Sequence, residues 1–217
     1  MKPRQHEDER GDRIQEPCQH DTGVGRLSRR RLCTGLAAGA ATALAGCFGG
    51  GSNGGPTTGD VPAAVTLTTD DACEVCGMII PNHPGPTTEI FYPGREPSGH
   101  ENPARFDSTW EAFQYDFDRQ DEGWERAVMY VTDYAAVAYD VFEESGDRLI
   151  STHPQAESFT TAAEVTFVAG SEVKGAMGRD LIAFSEGADA ESFESEYGGE
   201  RVTVDEVTPE LIAQLGM

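Results

Sequence analysis

Ser108-Thr109-Trp110-Glu111-Ala112-Phe113-Gln114-Tyr115-Asp116-Phe117 is the stretch on which the fold turns. Ser-x-x-Glu is a capping box, and Trp110, Phe113 and Phe117 recur at helical spacing, so a helix starts here with its aromatic stripe in a core. Working outward, residues 65–68, 88–92, 127–132, 135–141, 164–168 and 201–204 read as strands. Residues 81–86 and 93–103 are Pro/Gly-rich loops, and 170–178 reads as a loop carrying Lys174 and Met177. Asp189 caps a short helix with Phe193 and Tyr197 on one face, ended by Gly198-Gly199. Thr208-Pro209 opens a last helix. The connections are too short, and the strands too many, for repeated parallel crossovers, so the class expected is α+β. A Gly/Met turn, a strand and an aromatic-faced helix occur twice, which predicts two similar small units, residues 64–125 and 126–217.

The N-terminus carries an address rather than a fold element. Ser28-Arg29-Arg30-Arg31-Leu32 leads into an Ala/Gly/Leu run that stops at Leu44-Ala45-Gly46-Cys47. That run is shorter than the roughly 20 residues needed to span a bilayer. Paired Arg29 and Arg30 ahead of it read as a twin-arginine export signal over 28–46, and Leu-Ala-Gly-Cys as a lipobox. Cys47 would then bear the lipid, with 47–63 as a flexible tether. Residues 1–27 are polar and aperiodic, either a disordered extension or a misassigned start. The expected location is the extracytoplasmic face of the cell membrane, held by the lipid anchor.

Charge excludes one class of partner. Residues 1–46 hold 8 of the 16 basic and 6 of the 38 acidic residues, so the chain from Cys47 carries 8 basic against 32 acidic, a formal net of −24. Such a surface repels nucleic acid. The acids are spread along the chain, as in proteins adapted to high salt, and form no Asp-x-Asp loops of the calcium-binding kind.

The chemistry concentrates in Cys73-Glu74-Val75-Cys76-Gly77-Met78-Ile79-Ile80. On an extended backbone the Cys76 and Met78 sulfurs share one face. Thiolate beside thioether suits Cu(I), whereas a zinc site would draw four N/S donors and no second Cys pair exists. Met177, between small residues in Gly175-Ala176-Met177-Gly178, is a further donor, while Met129 sits in an apolar strand and reads as core. His83, His100 and His153 stand in loops as surface histidines that could add a nitrogen. An alternative is an extracytoplasmic thiol-disulfide redox protein using Cys73 and Cys76. That chemistry needs a thiol at a helix N-terminus, and Gly77-Met78-Ile79-Ile80-Pro81 is a poor helix start.

The chain resembles the NosL family of nitrous oxide reductase accessory proteins. The resemblance is carried by Cys76-Gly77-Met78-Ile79, Phe106-Asp107 with Glu111-Ala112-Phe113, Tyr130-Val131-Thr132-Asp133-Tyr134, Ala176-Met177-Gly178 with Ala183-Phe184, Phe193 and Gly198-Gly199. It implies a lipid-anchored metallochaperone, not an enzyme, that binds Cu(I) and helps assemble a copper centre of nitrous oxide reductase with an ABC-type membrane transporter. The fold it implies is α+β with two small related β-α-β-like halves packed together, and the donors it implies are Cys76, Met78 and Met177. Ala176 stands where the family often has proline, and the motif does not require Cys73. That residue is a further ligand, a disulfide partner or a bystander.

Overall fold

The computed structural model describes residues 61–216. The expectations for residues 1–60, among them the export arginines Arg29 and Arg30 and the lipid-bearing Cys47, lie outside these residues.

Twelve regular elements follow in order among the described residues: β1 (Thr88–Phe91), β2 (Ala104–Phe106), α1 (Thr109–Asp121), β3 (Val128–Thr132), β4 (Val141–Glu144), β5 (Asp147–Ile150), β6 (Phe159–Thr161), β7 (Thr166–Gly175), β8 (Gly178–Phe184), α2 (Gly187–Tyr197), β9 (Glu200–Val202) and α3 (Pro209–Leu215). The class is α+β. One sheet has the order β2-β1-β3-β6 and is antiparallel throughout. In the other, β4, β5, β7 and β8 lie side by side, and β9 joins β7 along residues 167–169.

The halves are related, and their shared motif is β-β-α-β with its first strand in the middle. In the first, β1 is flanked by β2 and β3; in the second, β7 is flanked by β8 and β9. Both belong to one compact unit of the described residues. A division at residue 125 falls between α1 and β3, and β3 returns to pair with β1.

Three expectations change. Residues 65–68 are a strap without strand pairing, and 135–140 form a turn followed by irregular chain, the strand starting only at Val141. The expected loop at 170–178 is mostly strand: β7 runs to Gly175 and turns at Ala176-Met177 into β8. The register with β8 breaks between Ala169 and Lys174, where Gly170 takes φ 69°, and pairing of Val173 and Lys174 with β5 together with burial of Val173 holds the end of the strand.

Alternation along β7 and β8 sorts the core. Phe167, Leu181 and Ala183 face α1 and α3 with Phe106, Phe113 and Ile212. Val168, Ile182 and Phe184 face α2 with Phe193. α1 therefore lies between the sheets, against β1 and β2 on one side and β8 on the other. Phe113 meets Phe167 edge to face at 5.7 Å, and Trp110 Nε1 donates to the Ile212 carbonyl at 2.7 Å. The aromatic stripe and Met129 are core, as the sequence indicates. Among the described residues no helix is long and apolar enough to cross a membrane.

Candidate metal centre

The cysteine segment is a closed turn, so the extended backbone on which the Cys76 and Met78 sulfurs would share one face is not formed. Ala72 and Ile79 pair as an antiparallel bridge. Inside it, the Cys73 amide donates to the Met78 carbonyl at 2.9 Å and the Gly77 amide to the Cys73 carbonyl at 3.0 Å. Gly77 has φ 75°, a conformation costly for other residues, so the turn of the chain between Cys76 and Met78 depends on it. The Glu74 amide ties the turn to the Arg105 carbonyl on β2 at 3.0 Å, and Arg105 pairs with Asp71 at 2.6 Å.

This turn lies over the start of α1. Ser108 caps the helix, accepting from the Glu111 amide at 3.2 Å. The Glu111 carboxylate, which a full capping box would turn back to the Ser108 amide, instead accepts from Cys73 Sγ at 3.0 Å. Asp107, just before the cap, lies 3.4 and 3.6 Å from Cys76 Sγ through its two oxygens. One donor atom from each of Cys73, Cys76, Asp107 and Glu111 falls within 4.8 Å of the others, a spacing that one ion can bridge.

Burial grades across this cluster. Cys73, Asp107 and Glu111 are 4%, 2% and 1% exposed, whereas Cys76 and Met78 are half-buried. Burial, with the Glu111 hydrogen bond, pushes the Cys73 thiol far up, and burial raises Cys76 as well. The Glu111 carboxyl is raised by burial first and by the charge of Asp107 among the further causes. Both thiols thus hold their protons near neutral pH, and a metal must displace them.

Met177 sits at the tip of the β7–β8 hairpin, 41% exposed. The hairpin is pressed against the loop before β1: a β-carbon on Gly85 would lie 2.8 Å from Gly175 Cα and 3.4 Å from the Asp107 carbonyl oxygen. The turn bearing Met177 therefore neighbours the residue that faces Cys76. The histidines stay outside the cluster. His83 lines a shallow cleft with Lys174 and Ala176, His100 bonds Glu74 at 2.6 Å, and His153 packs edge-on to Tyr134.

Sequence reasoning missed Asp107 and Glu111 as site residues. Their signal lay in the capping box and in two acids grouped at one helix start, which a helix dipole favours but which alone indicates only a cap. With two carboxylates the cluster reaches four donors, so the count of cysteines alone underestimated its capacity for a divalent ion.

A family model described as NosL matches residues 64–212. The chain belongs to the NosL family. It is 27% identical over 150 residues, 69% of this chain and 68% of the relative, to a copper-binding lipoprotein NosL of Stutzerimonas stutzeri. The crystal structure of the copper chaperone NosL from Shewanella denitrificans superposes with a TM-score of 0.53 at 28% identity, covering 68% of this chain and 96% of that one. Relatives of this NosL-family chain are thus described as copper-binding or chaperone proteins rather than enzymes.

Proposed function

We propose that this protein is a lipid-anchored Cu(I) metallochaperone, held through Cys47 on the extracytoplasmic face of the cell membrane, that helps assemble a copper centre of nitrous oxide reductase together with an ABC-type membrane transporter. The observation that supports it most is the half-buried Cys76 thiol, at the open side of a buried thiol/carboxylate cluster and flanked in sequence by Met78. Cys76, Met78 and Met177 form a soft, low-coordinate set that suits Cu(I). As copper bonds to Cys76 Sγ the thiol proton leaves, and the Asp107 carboxylate is placed to take it. Exposure of Met177 suits a donor that lets go first when copper passes to an acceptor.

The redox reading fares worse. A reactive thiol needs a lowered pKa at a helix N-terminus. Here both thiols are raised, and Cys73 and Cys76 lie in a turn that starts no α-helix. Anaerobic titration of the reduced, metal-free protein with Cu(I) against a competing chelator tests the proposal. Stoichiometric binding that weakens in Met78→Leu and Met177→Leu is expected. Failure of the unaltered protein to compete for Cu(I), or turnover of a disulfide substrate that survives Met78→Leu, sinks it.

A further inference from the structure

Asp180, to which neither the cysteine motif nor the thiol/carboxylate cluster gives a role, joins the two segments that carry the donors. It lies on β8, three residues past Met177, and is fully buried. Its Oδ1 accepts from the Trp110 amide at 2.8 Å and from the Leu181 amide at 2.8 Å. Trp110 precedes Glu111 in the first turn of α1. That turn is therefore capped twice, by Ser108 from its own chain segment and by Asp180 from the hairpin.

The other oxygen, Oδ2, is buried without a partner and faces the hairpin's own tip: a β-carbon on Gly175 would lie 2.7 Å from it. Gly175 is in turn the residue that Gly85 approaches from the loop beside Asp107. The tip is held between the helix end and that loop, with Met177 two residues past Gly175. Burial raises the Asp180 carboxyl to about 7, so this joint is kept at a cost.

We infer that Asp180 is a positioning residue: by tying β8 to the first turn of α1 it sets the Met177 turn where the thioether reaches copper at Cys76 and Met78. This rests on the copper reading of those three residues. A merely structural Asp180 lowers stability and leaves the donor set intact. A positioning Asp180 removes one sulfur from copper.

The test measures Cu(I) affinity by chelator competition, and the number of sulfur ligands by X-ray absorption, on the full-length protein. Asp180→Ala is expected to lower affinity about 10-fold to 100-fold, the range typical of residues that orient metal ligands, and to lose one sulfur. The double variant Asp180→Ala/Met177→Leu is expected to be no weaker than Met177→Leu alone, because both remove the same ligand. Asp180→Asn, which keeps an oxygen for the Trp110 amide, is expected to restore most of the affinity. Gly175→Ala drives a methyl toward Oδ2 without touching a donor, and is expected to lose the same sulfur. Losses that multiply in the double variant overturn the inference, and a full sulfur count with unchanged affinity in Gly175→Ala overturns it even if Asp180→Ala does not fold. Unaltered protein that binds copper while Met177→Leu matches it also overturns it and leaves the chaperone reading standing. Absence of copper binding by the unaltered protein ends that reading first.

Discussion

The two ββαβ units share a topology and differ at the N-terminal end of the helix. In the second, residues 185–189 are all exposed, and Glu186 at the cap position makes no side-chain cap bond. In the first, Asp107, Ser108, Thr109 and Glu111 are buried, covered by the cysteine turn from one side and by β8 with Asp180 from the other. Three acids gather where the helix dipole is positive, which offsets part of their mutual repulsion. Only where the cysteine turn closes over the helix end does the ββαβ motif become a cluster of metal-binding groups, with the hairpin of the other unit packed beside it.

The sharpest way to break this comparison is to strip each end of its acid or thiol. Cys76→Ser is expected to weaken Cu(I) binding roughly a thousandfold, about 4 kcal/mol, because it removes the thiolate itself. Asp189→Asn, at the exposed start of α2, should leave affinity unchanged. Cys73→Ser should cost less than Cys76→Ser, since Cys73 is committed to Glu111 and a serine hydroxyl can keep that bond. An equal loss at both positions, read by the same chelator competition, shows that both thiols bind copper.

The helix at the site was legible and the site itself only in part. Ser108 and Glu111 lie three apart in sequence, so their pairing is local and the capping pattern reveals it. Glu111 and Cys73 lie 38 apart, and no periodicity brings them together. The fold does so by laying the cysteine turn on β2 through Arg105. Gly170, Ser171 and Gly175 read as a loop because propensity is local, whereas β7 passes through an irregularity after Ala169 and is paired again with β5 and β8 from Val173 to Gly175. The Ser145-Gly146 turn between β4 and β5, with φ of 55° and 93°, carried a hairpin signal that the flanking acids obscured.

The central strands extend the comparison. β1 holds Glu89, fully buried beneath the strap, where Oε2 accepts from the Val65 amide at 3.1 Å and Oε1 has no partner. The acid of β7, Glu172, is exposed and paired with Arg148 at 3.0 Å. Burial raises the Glu89 carboxyl to about 7, against the Val65 bond and the Arg105 guanidinium, which pull it down. A carboxyl raised in the folded state carries no buried charge while protonated, so stability from this group is full below about pH 4.5 and is lost as pH rises through 7. Glu89→Gln is expected to recover about 3 kcal/mol at pH 8 and almost nothing at pH 4.5, measured by denaturant unfolding. Asp180, raised in the same sense, keeps part of the slope in the variant. An identical pH dependence in both proteins would show that Glu89 is ionised in the fold.

The smallest effect bears on the helix ends directly. Ser108 holds the Glu111 amide, and Asp180 holds the amide just before it. Ser108→Ala removes one of the two caps and should cost about 1 kcal/mol in unfolding free energy. Glu186→Ala removes no side-chain cap from α2 and should cost close to nothing. The two helices differ in a second readout. Loss of the Ser108 cap frees the turn on which Glu111 stands, so exchange of the Glu111 amide hydrogen should quicken while that of Asp180-bound Trp110 stays slow. If both amides quicken together, the first turn of α1 opens as one piece and Asp180 is no independent anchor. If Trp110 alone remains protected, the hairpin holds the helix end by itself, and the order of the first turn of α1 belongs to β8 rather than to the local cap.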